Sequence, residues 1–190
     1  MNLELLFKEQ QLLRDKIAYD KPDRFEKLIL ALLVELGECA NEWRRFKFWS
    51  KDQEPRTKID INCFSCDGSG VIEEEPCLSC VGGKVGYENP LLEEYVDGFH
   101  FVLELGIELK LTNPDIKPFK WKNLLYQYTS IMNTASDLLF GELHPSNEIY
   151  SVLVNEYMGL GEMLGFTWEQ IEQAYFEKNA VNHQRQEDGY

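Results

Sequence analysis

Apolar residues recur at helical spacing along most of the chain. The opening stretch LELLFKEQQLLRDKIAY sets Leu3, Leu6, Phe7, Leu13 and Ile17 on one side and predicts a first helix. Asp20 can cap a second helix, with Pro22 in its first turn, where a missing N–H costs little. That helix is expected to run to about Lys47. From residue 51 to 89 the periodicity gives way to charged, Gly-rich and Cys-rich sequence, which reads as an insertion. Asn89-Pro90 restarts a helix, PLLEEYVDGFHFVLELGIELKL, which should stop before the TNPDIKP turn. A fourth, from about Trp121 to Phe140, carries Leu124, Leu125, Tyr128, Ile131, Met132 and Leu138, and Gly141 and Pro145 mark the next break. Ser146 can cap a fifth helix through about Leu164. TWEQ, Thr167 to Gln170, matches a capping box and opens a last helix to about Gln186. The expected fold is an all-α bundle of about six helices built from 1–50 and 90–190. The insertion, 51–89, lies between the second and third helices, and no strand is expected outside it.

Acidic residues interrupt two of these apolar helices. Glu35 and Glu38 stand three apart in LILALLVELGECANEW, and Glu94 and Asp97 repeat the spacing in PLLEEYVDGFHF. Residues three apart share a helix face, so antiparallel packing of the two helices brings four carboxylates together. ExxE on a helix is ordinarily solvent-facing surface, but two such pairs inside strongly apolar helices favour burial, which carboxylates tolerate only with a partner. Four carboxylates at close range need cations, and oxygen ligands without a His or Cys cluster suit Mg²⁺ or Mn²⁺. The chemistry that follows is metal-assisted attack of water on phosphorus, with two or more ions. Glu42, one turn beyond Glu38, is expected behind the ligands. His100 is expected to orient a neighbour or fill the core.

Composition narrows the partners. The chain has 190 residues, 44% hydrophobic and 27% charged, with net charge −14. Without a basic stripe, that charge disfavours long nucleic acid. No apolar run has the ~20 residues of a membrane span, and the first residues lack a secretory pattern, so the cytoplasm is the expected location. Of the five cysteines, four form Cys63-x-x-Cys66 and Cys77-x-x-Cys80. Paired CxxC motifs in a reducing compartment favour a closed, structural zinc site over disulfides.

LLVELGECANEWRRFKFWS, LEEYVDGFHFVLELGIE and YFEKNAVNHQRQEDGY together resemble the dimeric all-α dUTPases of some bacteria and their phages. These belong to the all-α nucleoside triphosphate pyrophosphohydrolases, which include MazG-like enzymes. The resemblance implies that Glu35, Glu38, Glu94 and Asp97 bind catalytic Mg²⁺, that dUTP is hydrolysed to dUMP and pyrophosphate, and that the enzyme is a homodimer. It places Gln10 near the uracil, where an amide offers a donor and an acceptor. Trp49 is placed near the nucleotide, with a packing anchor like Trp43 and Phe46 as the alternative. Lys178, Asn182 and Arg185 share a helix face: the two cations would hold phosphates, Asn182 the sugar or base, and Tyr190 would close over the deoxyribose. CFSCDGSG followed by CLSCVGG resembles half of the DnaJ zinc-binding region, with glycines for tight turns around the metal. This insertion departs from the shorter connection usual in the family. It reads as a self-stapled decoration, or alternatively as a surface for a protein partner. Two other functions compete: a broader-specificity nucleotide pyrophosphohydrolase, which would not need Gln10 or the C-terminal motif, and a zinc-dependent protein-binding module.

Overall fold

The computed structural model describes residues 2–141 and 146–189, so Pro145 and Tyr190 lie outside the described residues. Six helices follow in order: α1 Leu3–Ile17, α2 Arg24–Trp43, α3 Pro90–Glu108, α4 Leu124–Phe140, α5 Ser146–Leu164 and α6 Trp168–Glu187. Four short strands lie between α2 and α3: β1 Ile59–Asn62, β2 Val71–Ile72, β3 Glu75–Pro76 and β4 Lys84–Glu88. The chain divides into two compact units, Met1–Asn41 with Leu92–Tyr190, and Glu42–Leu91. No helix among the described residues is long and apolar enough to cross a membrane.

In the helical unit α3 is the central element. Tyr95, Val96, Phe99, Val102, Leu103 and Leu105 are all buried, while Glu94, Asp97 and Glu104 mark an acidic face. It runs antiparallel to α5. Tyr157 Oη donates to the Tyr95 carbonyl at 2.6 Å, and Tyr150 Oη donates to that of Val102 at 3.1 Å. Gly98 and Gly106 permit this approach, since a Cβ at either would overlap the hydroxyl of Tyr157 or Tyr150. α1 and α6 run parallel: Asn2 N donates to Glu172 at one end, and Lys16 Nζ to Glu187 at the other. Glu156 of α5 is buried beside α4 and accepts from Trp121 Nε1 (2.9 Å), Ser130 Oγ (2.6 Å) and Thr134 Oγ1 (2.9 Å). Three donors make this buried carboxylate tolerable.

Several boundaries differ from the sequence expectation, each for a local reason. α2 starts at Arg24, where Lys27 N donates to the Asp23 carbonyl, and Asp20 is exposed rather than capping. It stops at Trp43 because Arg44 takes a left-handed φ of 64°, held by its guanidinium donating to the Asp52 carbonyl at 2.9 Å. α4 starts after Asn123, whose side chain accepts from Tyr126 N. Ser146 is the first residue of α5. The Thr167–Gln170 capping box is formed in both directions.

The second unit has a different logic. β1 pairs antiparallel with β4, and β2 with β3. The residues of all four strands are exposed. Its buried cluster consists of Cys63, Cys66 and Cys77 with Cys80 packed against them. Gly83, at φ 86°, cannot be replaced freely, because a Cβ there would overlap the Gly68 carbonyl.

Candidate functional site

The antiparallel crossing of α2 and α3 brings Glu35, Glu38 and Glu94 together, with a carboxylate oxygen of each within 4.8 Å of the others. Glu38 is exposed and the other two are partly buried. Burial, then the charges of Asp97 and Glu38, pushes the Glu35 carboxyl up to about 7. Burial, then Asp97, Glu38 and Glu35, does the same to Glu94. Asp97 is also raised by burial, with Lys178 acting against the shift. Lys178, on α6, lies 2.6 Å from Asp97 Oδ2 and 3.0 Å from Glu93 Oε1. Burial opposes its charge, but these two carboxylates outweigh that and hold the ammonium above its ordinary value. Asp97 therefore sits beside the three-carboxylate group with a cation already on it. Glu42, expected behind the ligands, is instead ion-paired with Arg56 at 3.2 Å inside the second unit.

One turn along the same helices a cavity of about 380 Å³ begins. Its wall includes Lys27, Leu28 and Ala31 of α2, His100, Phe101 and Glu104 of α3, Gln10 and Arg14 of α1, and Asn182 and Arg185 of α6. That volume is in the range of small-molecule sites. Gln10, Asn182 and Arg185 thus line one cavity, whereas Lys178 stands at the carboxylates one turn away.

Gln10 is 2% exposed and held on both sides. Its Nε2 donates to Glu104 Oε1 at 2.9 Å, and its Oε1 accepts from Tyr175 Oη at 2.8 Å and faces His100 Nδ1 at 2.7 Å. Arg14 backs Glu104 from the far side, with Nη1 3.3 Å from Oε2. Burial raises the Glu104 carboxyl, and Gln10, Arg14 and Arg24 act to lower it. The His100 ring stacks on Tyr175 at 4.3 Å, and burial lowers its pKa to about 3, so the ring is neutral. The Nε2 of His100 has no partner among the described residues.

Sequence reading missed Glu104, Arg14 and Tyr175. The signal for Glu104 was present: a further acidic residue in an apolar helix, on the same face as Asp97 and two turns on. Trp49 belongs to the second unit, 65% exposed and edge-to-face with Phe46 and Phe48, so it is not a buried packing anchor. Tyr190 lies outside the described residues.

The four paired cysteines also converge. Cys63 and Cys77 sulfurs are 3.9 Å apart, those of Cys66 and Cys80 3.7 Å, and all four lie within 4.8 Å of one another. Gly70 N donates to Cys66 Sγ at 3.2 Å, as a backbone amide does towards a thiolate. The set is compatible with zinc.

A family model described as dUTPase matches residues 2–64 and 84–190. The stretch it leaves out holds three of the four paired cysteines, Cys66, Cys77 and Cys80. No curated protein matches the chain significantly.

Proposed function

Because the chain belongs to the all-α dUTPase family and is a dUTP diphosphatase, we propose that Glu35, Glu38, Glu94 and Asp97 hold catalytic Mg²⁺ and that the nucleoside occupies the adjoining cavity. One observation carries this reading: three carboxylates gathered within 4.8 Å, with a nucleoside-sized cavity starting one turn away on α2, α3 and α6. The donor set fits a hard divalent ion. It is all oxygen, and the two carboxyls raised to about 7 are disfavoured as anions in the absence of further positive charge. When bound, Mg²⁺ neutralises charge on the phosphates and polarises a phosphoryl oxygen.

The chain's own residues do the rest. Lys178 brings one fixed positive charge to the acidic group and Arg185 a second, both suited to phosphate oxygens. Asn182, between them on α6, reaches the sugar or base. Gln10, His100 and Phe101 form the wall that meets the base. Water adds across the bond between the α and β phosphates, and dUMP and pyrophosphate leave. Trp49 and Tyr190 are assigned to the nucleotide on the resemblance alone.

We assign a structural zinc to Cys63, Cys66, Cys77 and Cys80, because the unit around them has little else to bury. A homodimer in the cytoplasm is the expected form. Exposed Leu30 and Val34, one turn apart on α2, favour a covered face. The insertion is read as a self-stapled decoration rather than a dedicated surface for a protein partner.

A nucleotide panel with pyrophosphate detection tests the reading. Hydrolysis of dUTP should far exceed that of dTTP, dCTP and UTP, and should require Mg²⁺. Comparable rates on dCTP or dTTP would move the enzyme to the broader pyrophosphohydrolases.

A further inference from the structure

Glu42 lies four residues past Glu38 and seven past Glu35, on the face of α2 that carries the candidate ligands. Side chains four apart on a helix have Cβ atoms about 5–6 Å apart, so Glu38 and Glu42 are close enough to share one ion. They do not come together. Carboxylate oxygens of Glu35, Glu38 and Glu94 gather within 4.8 Å, and Glu42 is turned instead to Arg56, whose Nη1 lies 3.2 Å from Oε1 and 3.4 Å from Oε2.

The Arg56 backbone is fixed where this pairing requires it. Its N–H donates to the Glu42 carbonyl at 3.0 Å, and its carbonyl accepts from Leu91 N at 3.1 Å. Both partners are groups that a helix leaves unsatisfied, a carbonyl in the last turn of α2 and an N–H in the first turn of α3. The Glu42 side chain is only 18% exposed, so its charge has a cation where water alone would solvate it poorly. Glu42 also stands at the negative end of the α2 dipole, where an unpaired carboxylate is unfavourable.

We propose that Arg56 is a positioning residue that holds Glu42 off the metal and so keeps a coordination position open for a phosphate oxygen of the substrate. The inference rests on the reading that the carboxylates of α2 and α3 hold the catalytic ion. Mg²⁺ demands a near-octahedral oxygen shell and normally leaves several positions to water and substrate phosphate. A freed Glu42 would take one of those positions and set another negative charge against the incoming triphosphate. Metal would then bind more tightly while turnover slowed. Loss of packing has the opposite signature, because a loosened site binds metal more weakly.

Mn²⁺ titration of the full chain without nucleotide, followed by electron paramagnetic resonance, reads metal affinity apart from turnover. Arg56→Met should tighten Mn²⁺ binding and lower kcat for dUTP, each by roughly 10-fold, as outer partners of metal ligands do. Combining it with Glu42→Gln should restore both, because the amide brings no charge to the ion. Arg56→Lys and Glu42→Gln alone should leave both as in wild type. Unchanged binding and turnover in Arg56→Met, weaker binding, or a defect that Glu42→Gln does not repair would overturn the proposal. Glu38→Gln distinguishes failure of the metal site from failure of the Arg56 role. If Glu38→Gln leaves Mn²⁺ binding intact, the ion lies elsewhere and the inference falls with that reading. If Glu38→Gln weakens binding while Arg56→Met changes nothing, only the role of Arg56 is refuted.

Discussion

Gly98 sits where α3 touches both α5 and α2, directly after the candidate ligand Asp97. A methyl group there would overlap Tyr157 Oη, lie 3.3 Å from its Cζ and lie 3.5 Å from Glu35 Cβ. Tyr157 has nowhere to retreat. It is buried, its ring tilted against Tyr95 at 4.9 Å and stacked on Phe99 at 6.1 Å, and its hydroxyl donates to the Tyr95 carbonyl at 2.6 Å. Overpacking costs about 1–3 kcal/mol and a lost buried hydrogen bond ~1–3 kcal/mol, offset by about 1 kcal/mol of helix propensity. Gly98→Ala should therefore lose about 1–5 kcal/mol, a Tm drop of roughly 2–20 °C for a chain of this size. Relief by moving α3 would separate Glu94 from Glu35, and a ~1 Å misplacement costs on the order of 100-fold in turnover. Thermal unfolding and dUTP turnover read the two effects. Adding Tyr157→Phe removes the clashing oxygen and should recover part of the loss, with a coupling of about 1–2 kcal/mol in the double-mutant cycle. A single variant with wild-type Tm and turnover, or a cycle with no coupling, would refute the close approach as the feature that sets the site.

Two further outcomes follow from the charges and the thiols. Glu35 and Glu94 keep their protons to about pH 7 when folded but release them near 4.5 when unfolded, so the folded state binds more protons in between. Metal-free protein should thus lose stability as pH rises from 4.5 to about 7, by about 1–2 kcal/mol for the pair after solvent screening. Mg²⁺ should restore it at pH 8, and a Tm in EDTA that rises across this window would contradict the assignment. Elemental analysis should find one zinc per chain. Cys63→Ser should release it and loosen 51–89 while helical content and part of the activity survive; no stoichiometric zinc, or a disulfide under reducing conditions, would sink the assignment.

The helices and the acidic pairs were legible because both follow a period written along the chain. Glu35 and Glu38, three apart in an apolar run, share one helix face, and that face meets Glu94 of α3. The cysteines were legible for a similar reason, since CxxC spacing fixes a local loop around one centre. What the sequence did not reveal is set by long-range pairing. Gln10 meets Glu104 and Tyr175 across 94 and 165 positions, so its role as the middle of a polar chain has no local signature. Glu42 has the spacing of a site residue, but Arg56, fourteen positions on, takes its carboxylate. The end of α2 was hidden because Arg44 adopts a left-handed conformation that glycine or asparagine would normally announce.

If the carboxylates of α2 and α3 hold the metal on which dUTP hydrolysis depends, removing either the metal or one carboxylate must stop turnover. Pyrophosphate release from dUTP by wild type and by Glu38→Gln, each with Mg²⁺ and with EDTA, tests it most directly. Glu38 is exposed, so its amide should fold normally while removing one charge from the acidic group. Turnover is expected in wild type with Mg²⁺ alone, and EDTA and the substitution should each abolish it in folded protein. Turnover by Glu38→Gln equal to wild type, or by wild type in EDTA, would contradict it.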